Sequence, residues 1–189
     1  MKFSWQIVAT LGCAVASTVA IARTPTEAAS CSNYETVDTS ICSKAEIYAA
    51  ENKYAEQHTR WHYDETMGKM AVVYASNAFM FGPLADHNYR RATLSVMQGE
   101  GYKLVTVSAD GLFDPAKLMC TAADCPISVR FDQGLLKTYS TRGGGVSMNL
   151  IDPDDFLKNV RISKKVNIVF PLEQYGNVTF EFNVSGYKW

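Results

Sequence analysis

The sequence is short of the residues from which common active sites are assembled. Three histidines occur among 189 residues, and no serine stands beside one of them in a recognisable motif. The Gly-x-Ser-x-Gly elbow that presents a hydrolase nucleophile is absent. Arg142-Gly143-Gly144-Gly145 has the glycines of a phosphate loop, but neither Lys-Ser/Thr nor a following helix accompanies them, so it reads as a hairpin loop. No two cysteines stand in Cys-x-x-Cys spacing, which removes the usual redox and zinc half-site signature. There is no low-complexity tract and no internal repeat. Charge is nearly balanced, 18 basic against 19 acidic residues, and points to neither nucleic acid nor an anionic membrane as partner.

Long apolar runs are also missing, with one exception at the start. Lys2 precedes an apolar stretch from Trp5 to Val19, followed by Ala20-Ile21-Ala22. A short positive region, an apolar core and a small-x-small site make a secretory signal peptide over residues 1–22, with cleavage after Ala22. The run falls short of the roughly 20 apolar residues of a membrane span. Lipid attachment is the weaker alternative. Thr10-Leu11-Gly12-Cys13 places its leucine one position late, and Ala28-Ala29-Ser30-Cys31 lies beyond a polar stretch, far from the apolar core. The expectation is therefore a cleaved chain in the periplasm or outside the cell, with no membrane span after cleavage. Removing Lys2 with the signal leaves 17 basic against 19 acidic residues, a net charge of −2.

Export governs the cysteines. Of five, Cys13 leaves with the signal, and the remaining four are an even set for an oxidising compartment. Three connectivities exist, and sequence proximity favours Cys31–Cys42 and Cys120–Cys125. Each closure contributes on the order of 2–3 kcal/mol in the chain-entropy model.

The rest of the chain divides simply. Residues 23–42 are small and polar, an extended segment pinned by its disulfide. Ser43 caps a helix in SKAEIYAAENKYAEQ, where Ile47, Ala50 and Tyr54 recur at helical spacing. From Trp61 onward the pattern alternates with period two. WHYDETMGKMAVVYAS folds as a hairpin around Glu65–Gly68, and RRATLSVM and KLVTVSA pair across Gly99-Glu100-Gly101. ISVRFD puts Ile127, Val129 and Phe131 inward and Ser128, Arg130 and Asp132 outward; LLKTYST, VSMNLI, KKVNIVF and VTFEFNVSG follow. One helix interrupts, with Asp152 as its cap, Pro153 at its first position, Asp155 three residues after the cap, and Phe156, Leu157 and Val160 toward the sheets. Eight or nine short strands predict a mainly-β chain: an antiparallel β-sandwich over residues 43–189 with an N-terminal helix and one short crossover helix.

Three groups of residues match a known family. Arg91-Ala92-Thr93-Leu94, Cys120 to Cys125 leading into Val129-Arg130-Phe131-Asp132-x-Gly134, and the closing Phe180-x-Phe182-x-Val184-Ser185-Gly186-x-Lys188-Trp189 lie within Arg90 to Trp189. This half of the chain resembles a family of secreted proteins and lipoproteins from Gram-negative bacteria and their phages, and more loosely resembles invasion-associated locus B proteins, which are exported and disulfide-stapled. The family pattern carries Phe two residues before the first cysteine and Gly before the second, where this chain has Leu118 and Asp124. The resemblance implies an envelope location and a fold. No activity is established for the family, so it implies no mechanism.

Candidate chemistry is sparse. His58 and His62, four apart with Asp64 nearby, suit a metal on a helical face, but Trp61-His62-Tyr63 reads as strand and His87 has no partner in sequence, so neither metal nor cofactor is expected. Asp154-Asp155 and Asp64-Glu65 fall at a helix start and a turn, where carboxylates serve the backbone. Arg130 and Asp132 are the better candidates, as outward neighbours on a strand that either pair with Lys137 or a neighbouring strand, or receive a partner. Trp189 reads as a plug that anchors the terminal strand. The function expected is a non-enzymatic envelope binding or accessory protein whose partner is another envelope protein. The alternatives are an inhibitor or immunity-type protein against a cell-wall hydrolase or toxin, and a metal-dependent enzyme using His58 and His62.

Overall fold

The computed structural model describes residues 31–33, 35, 37, 40–66, 68–81, 88–109, 118–119, 125–173 and 175–189, apart from the side chains of residues 80, 81, 88–90 and 144. The expected signal peptide and Cys120 lie outside the described residues. In chain order the elements are helix α1 (Lys44–Gln57), strands β1 (His62–Asp64), β2 (Lys69–Tyr74), β3 (Phe79–Phe81), β4 (Asn88–Arg90), β5 (Thr93–Gly99), β6 (Tyr102–Ser108), β7 (Cys125–Phe131), β8 (Leu136–Gly144) and β9 (Ser147–Leu150), helix α2 (Pro153–Ile162), and strands β10 (Lys165–Leu172) and β11 (Gly176–Asn183).

The period-two alternation yields a mainly-β antiparallel fold. Nine strands form one sheet in the order β1-β2-β5-β6-β9-β8-β7-β10-β11, and β3 pairs separately with β4. The sheet rolls over so that its ends meet. Ala75, just past β2, bridges to Phe182 of β11, and the Ser76 amide donates to the Glu181 carbonyl at 2.6 Å. The two halves therefore face each other as the layers of a sandwich while remaining one sheet. Close approach at the β8–β9 turn needs glycine: a Cβ on Gly143 would lie 2.5 Å from the Ser147 carbonyl oxygen.

Between the layers the inward residues of each strand make one apolar core. Val73, Leu94, Val96, Val105 and Val107 come from one half, and Ile127, Val129, Ile168, Phe170, Phe180 and Phe182 from the other. Full burial of each such side chain contributes about 1.5–3 kcal/mol. The polar residues buried among those described are Ser108, Thr141 and Ser163. Thr141 is satisfied, donating from Oγ1 to the Cys125 carbonyl at 2.6 Å. The interior is packed with hydrocarbon.

Both helices start as the sequence predicts. Ser43 accepts from the Glu46 amide while Glu46 accepts from the Ser43 amide, a reciprocal capping box, and Ile47, Tyr48, Ala50 and Ala55 are buried. Just upstream, Cys31 and Cys42 form a disulfide with Cα atoms 5.5 Å apart. Cys125 is also disulfide-bonded. Its sulfur lies 3.9 Å from the Met148 sulfur inside the core. At α2, Asp152 accepts from the Asp154 amide. Asp155 does not complete a box. Its carboxylate instead accepts from the Tyr139 hydroxyl at 2.7 Å and the Lys137 ammonium at 3.2 Å. These bonds clamp α2 over β8 and over the mutually edge-on rings of Phe131, Tyr139 and Phe156.

This aromatic group gives the first prediction. Phe131→Ala opens a cavity beneath α2 and lowers stability by about 3–5 kcal/mol, read as a reduced urea midpoint. A loss below about 1 kcal/mol would mean that the β7 register is misassigned.

Candidate functional site

The candidate residue within β7 lies on the outward side of the sheet. The alternation that sends Val129 and Phe131 inward sends Arg130 out. Arg130 stands opposite Leu136 of β8 on one side and Asn167 of β10 on the other. Ser128, Thr138 and Asn167 complete a hydroxyl- and amide-bearing surface around it. Among the described residues Arg130 makes no ion pair. Lys137, the expected cross-strand partner, turns to Asp155 instead.

Asp132 departs from its expected role. It lies past the end of β7 with φ at 45°, so it no longer shares the strand face with Arg130. Its amide donates to the Lys165 carbonyl, and Oδ1 accepts from the amides of Lys164 at 2.9 Å and Lys165 at 2.8 Å. The carboxylate stitches the β7–β8 turn to the start of β10. Asp is among the residues that tolerate a positive φ, and here it also caps two neighbouring backbone donors.

His58 and His62 come together as rings but not as a metal centre. Their centroids are 5.6 Å apart, and the described residues hold no group of three His, Cys, Asp or Glu side chains placed to bind a metal. His62 is exposed on β1. His58 is half-buried: it caps the end of α1, stacks on Tyr54 at 4.0 Å, and places Nδ1 2.7 Å from the Tyr54 carbonyl oxygen. Its own carbonyl accepts from the Tyr74 amide at 3.0 Å, tying α1 to β2. Asp64 turns back on Thr66, whose amide and hydroxyl hold its carboxyl below the usual carboxylate range.

The clefts lined by the described residues are open to solvent and local. A notch of about 460 Å³ lies between the β5–β6 turn and the start of α2, spanned by the Lys103–Asp154 ion pair at 2.6 Å. Two smaller hollows, of about 260 and 320 Å³, share Ser32, Ala50 and Lys53 beside the Cys31 disulfide and α1. Asp155 is held below the usual carboxylate range by the Tyr139 hydroxyl and then by Lys137, while burial and that same bond push the Tyr139 phenol up. Each of these contacts is accounted for by the packing of α2.

Two features escaped the sequence reading. Arg91, which opens the RATL stretch leading into β5, has a side chain only 12% exposed and donates to the carbonyls of Ala75 and Ser76 and to Glu56 of α1. Its signal was no more than a cation in a strand-like pattern. The second is a pair of exposed aliphatic residues, Leu135 in the β7–β8 turn and Ile162 at the end of α2. Trp189 is half-buried against the core and edge-on to Tyr63 at 4.8 Å, with its main-chain oxygen accepting from Arg161.

No family model and no curated protein matches the chain. Among solved structures, invasion-associated protein B from Bartonella henselae is similar with a TM-score of 0.40 and 11% sequence identity, over 67% of this chain and 84% of that one. It is one of the proteins to which the sequence bears its loose resemblance, and at this level of likeness it bears on neither mechanism nor partner.

The geometry separates the two candidate residues. Asp132→Ala, which strips the cap from two amides and leaves alanine at positive φ, costs about 1–3 kcal/mol in urea unfolding. Arg130→Ala, on an exposed face, costs less than about 1 kcal/mol. Asp132→Asn, which keeps an acceptor and tolerance for that φ, falls between. Equal losses for Arg130→Ala and Asp132→Ala would contradict the assignment.

Proposed function

We propose that the protein is an exported, non-enzymatic accessory protein of the cell envelope that binds another envelope protein through the outward face of β8, β7 and β10. One observation carries the reading. Arg130 is an exposed cation without an ion pair among the described residues, set in a hydroxyl- and amide-rich strand face beside Leu136. Arginine is enriched in interface hot spots because its planar fork binds carboxylates and its stem packs on apolar neighbours. A sheet face with an unneutralised guanidinium and an adjacent leucine suits a partner that presents a carboxylate next to an apolar side chain.

Export is supported by the N-terminal signal pattern and by cysteine usage, with Cys31–Cys42 closed and Cys125 disulfide-bonded. The packed apolar interior supports a surface function over an enclosed reaction site.

Affinity capture from the envelope fraction tests the proposal, with wild type and Arg130→Glu compared side by side. Wild type retains a discrete protein partner, and Arg130→Glu lowers its recovery at least about tenfold at unchanged fold, as truncation or reversal at a hot spot does. Equal recovery by the two proteins sinks the assignment of this face. Stoichiometric metal that is lost in His58→Ala/His62→Ala, together with a hydrolytic activity, would replace it with the enzyme reading.

A further inference from the structure

Near-neutral net charge hides a local segregation. Residues 131–137 and 158–165 together hold five cations, Lys137, Lys158, Arg161, Lys164 and Lys165, the first paired with Asp155 and the last with Glu181, and one carboxylate, Asp132. The fold joins these two segments at one end of the molecule. Lys137 reaches Asp155 and Asn159 of α2, and Asp132 accepts from the amides of Lys164 and Lys165. Leu135 and Ile162 lie between these two ties, one on each segment. They are among the most exposed large apolar residues described, at 90% and 81%. Around them Lys158 and Lys164 make no ion pair among the described residues, Arg161 donates to a main-chain oxygen, and the Asp132 carboxylate is already committed to backbone.

We infer that this end of the molecule docks on the surface of an anionic phospholipid bilayer, with Leu135 and Ile162 entering the interface and Lys158, Arg161 and Lys164 facing the headgroups. The chemistry favours a bilayer over a protein. Two single aliphatic side chains project from a turn and a helix end, and neither lines any of the described clefts. A bilayer needs no shape complement. It accepts protruding apolar groups and neutralises cations over a plane, each basic residue near the surface strengthening binding about fivefold. The inference is independent of the Arg130 reading, since Arg130 faces out from the sheet above this end.

Sedimentation with vesicles of equimolar phosphatidylglycerol and phosphatidylcholine tests it. Binding is expected to these vesicles, to weaken as salt is raised, and to be slight with phosphatidylcholine alone. Leu135→Ser with Ile162→Ser weakens it about tenfold, and Lys158→Glu with Lys164→Glu at least as much; all four positions are exposed, so the fold survives. Amide hydrogen exchange on the vesicle-bound protein locates the contact independently of the apolar run from Trp5 to Val19. Slowing at Leu135–Leu136 and Arg161–Ile162 is expected. Equal binding to phosphatidylcholine, unchanged affinity in both double variants, or slowing confined to other segments would overturn the inference. So would capture of an acidic protein through these same residues with no vesicle binding.

Discussion

A rolled sheet must dispose of its two edges, and the rest of this structure depends on how it does so. Unpaired strand edges expose backbone donors and acceptors that invite association with other chains. Here the seam is closed by residues 75–77 against β11: the Ser76 amide and hydroxyl both bond the Glu181 carbonyl, and Asn77 bonds Thr179 and the Glu181 amide. Beside it, where β1 is too short to reach β11, the final residues form a latch. The Trp61 indole donates to the Val184 carbonyl, and the Tyr63 hydroxyl donates to the Gly186 carbonyl and accepts from the Lys188 amide. Tyr187 fills the gap inside against Trp61, its hydroxyl accepting from Gln98, and burial pushes its phenol up to about 12. Arg91 then fixes α1 to the same corner.

Closure fixes what the molecule can present to a partner. Once the seam and latch hold the layers together, the interior fills with Phe, Val, Ile and Leu. The outward faces and the ends of the roll remain. The Asp155–Tyr139–Lys137 clamp and the Asp132 cap hold α2 and the β7–β8 turn rigidly at one end. If Arg130, Leu135 and Ile162 meet the proposed partners, these ties reduce the entropy lost on binding.

Much of this was legible in the sequence because its signals are local. Alternation in ISVRFD set strand faces, Gly99–Gly101 marked a turn, and Ser43 and Asp152 marked helix starts. The candidate site was legible only in part. Arg130 faces out as the alternation requires, but Asp132 was read as a strand residue because nothing in the sequence reveals a left-handed φ in an aspartate just before Gln-Gly. The stacking of His58 on Tyr54 was not legible because it depends on where α1 ends, and element ends are the least determinate local feature. Arg91, the β2–β11 seam, and the gathering of Leu135 and Ile162 between Lys158 and Lys164 all depend on long-range packing. Residue order alone could not show them.

The claim that the seam and the latch are one cooperative unit is open to a single direct measurement. In Trp61→Ala the indole bond to Val184 and the packing on Tyr187 are removed, and native-state hydrogen exchange follows each amide. The account predicts that the amides of Ser76, Glu181, Val184 and Tyr187 lose protection together, while those of Val129 and Ile168 keep theirs. Loss confined to Tyr187 and Lys188, with Ser76 and Glu181 still protected, would contradict it.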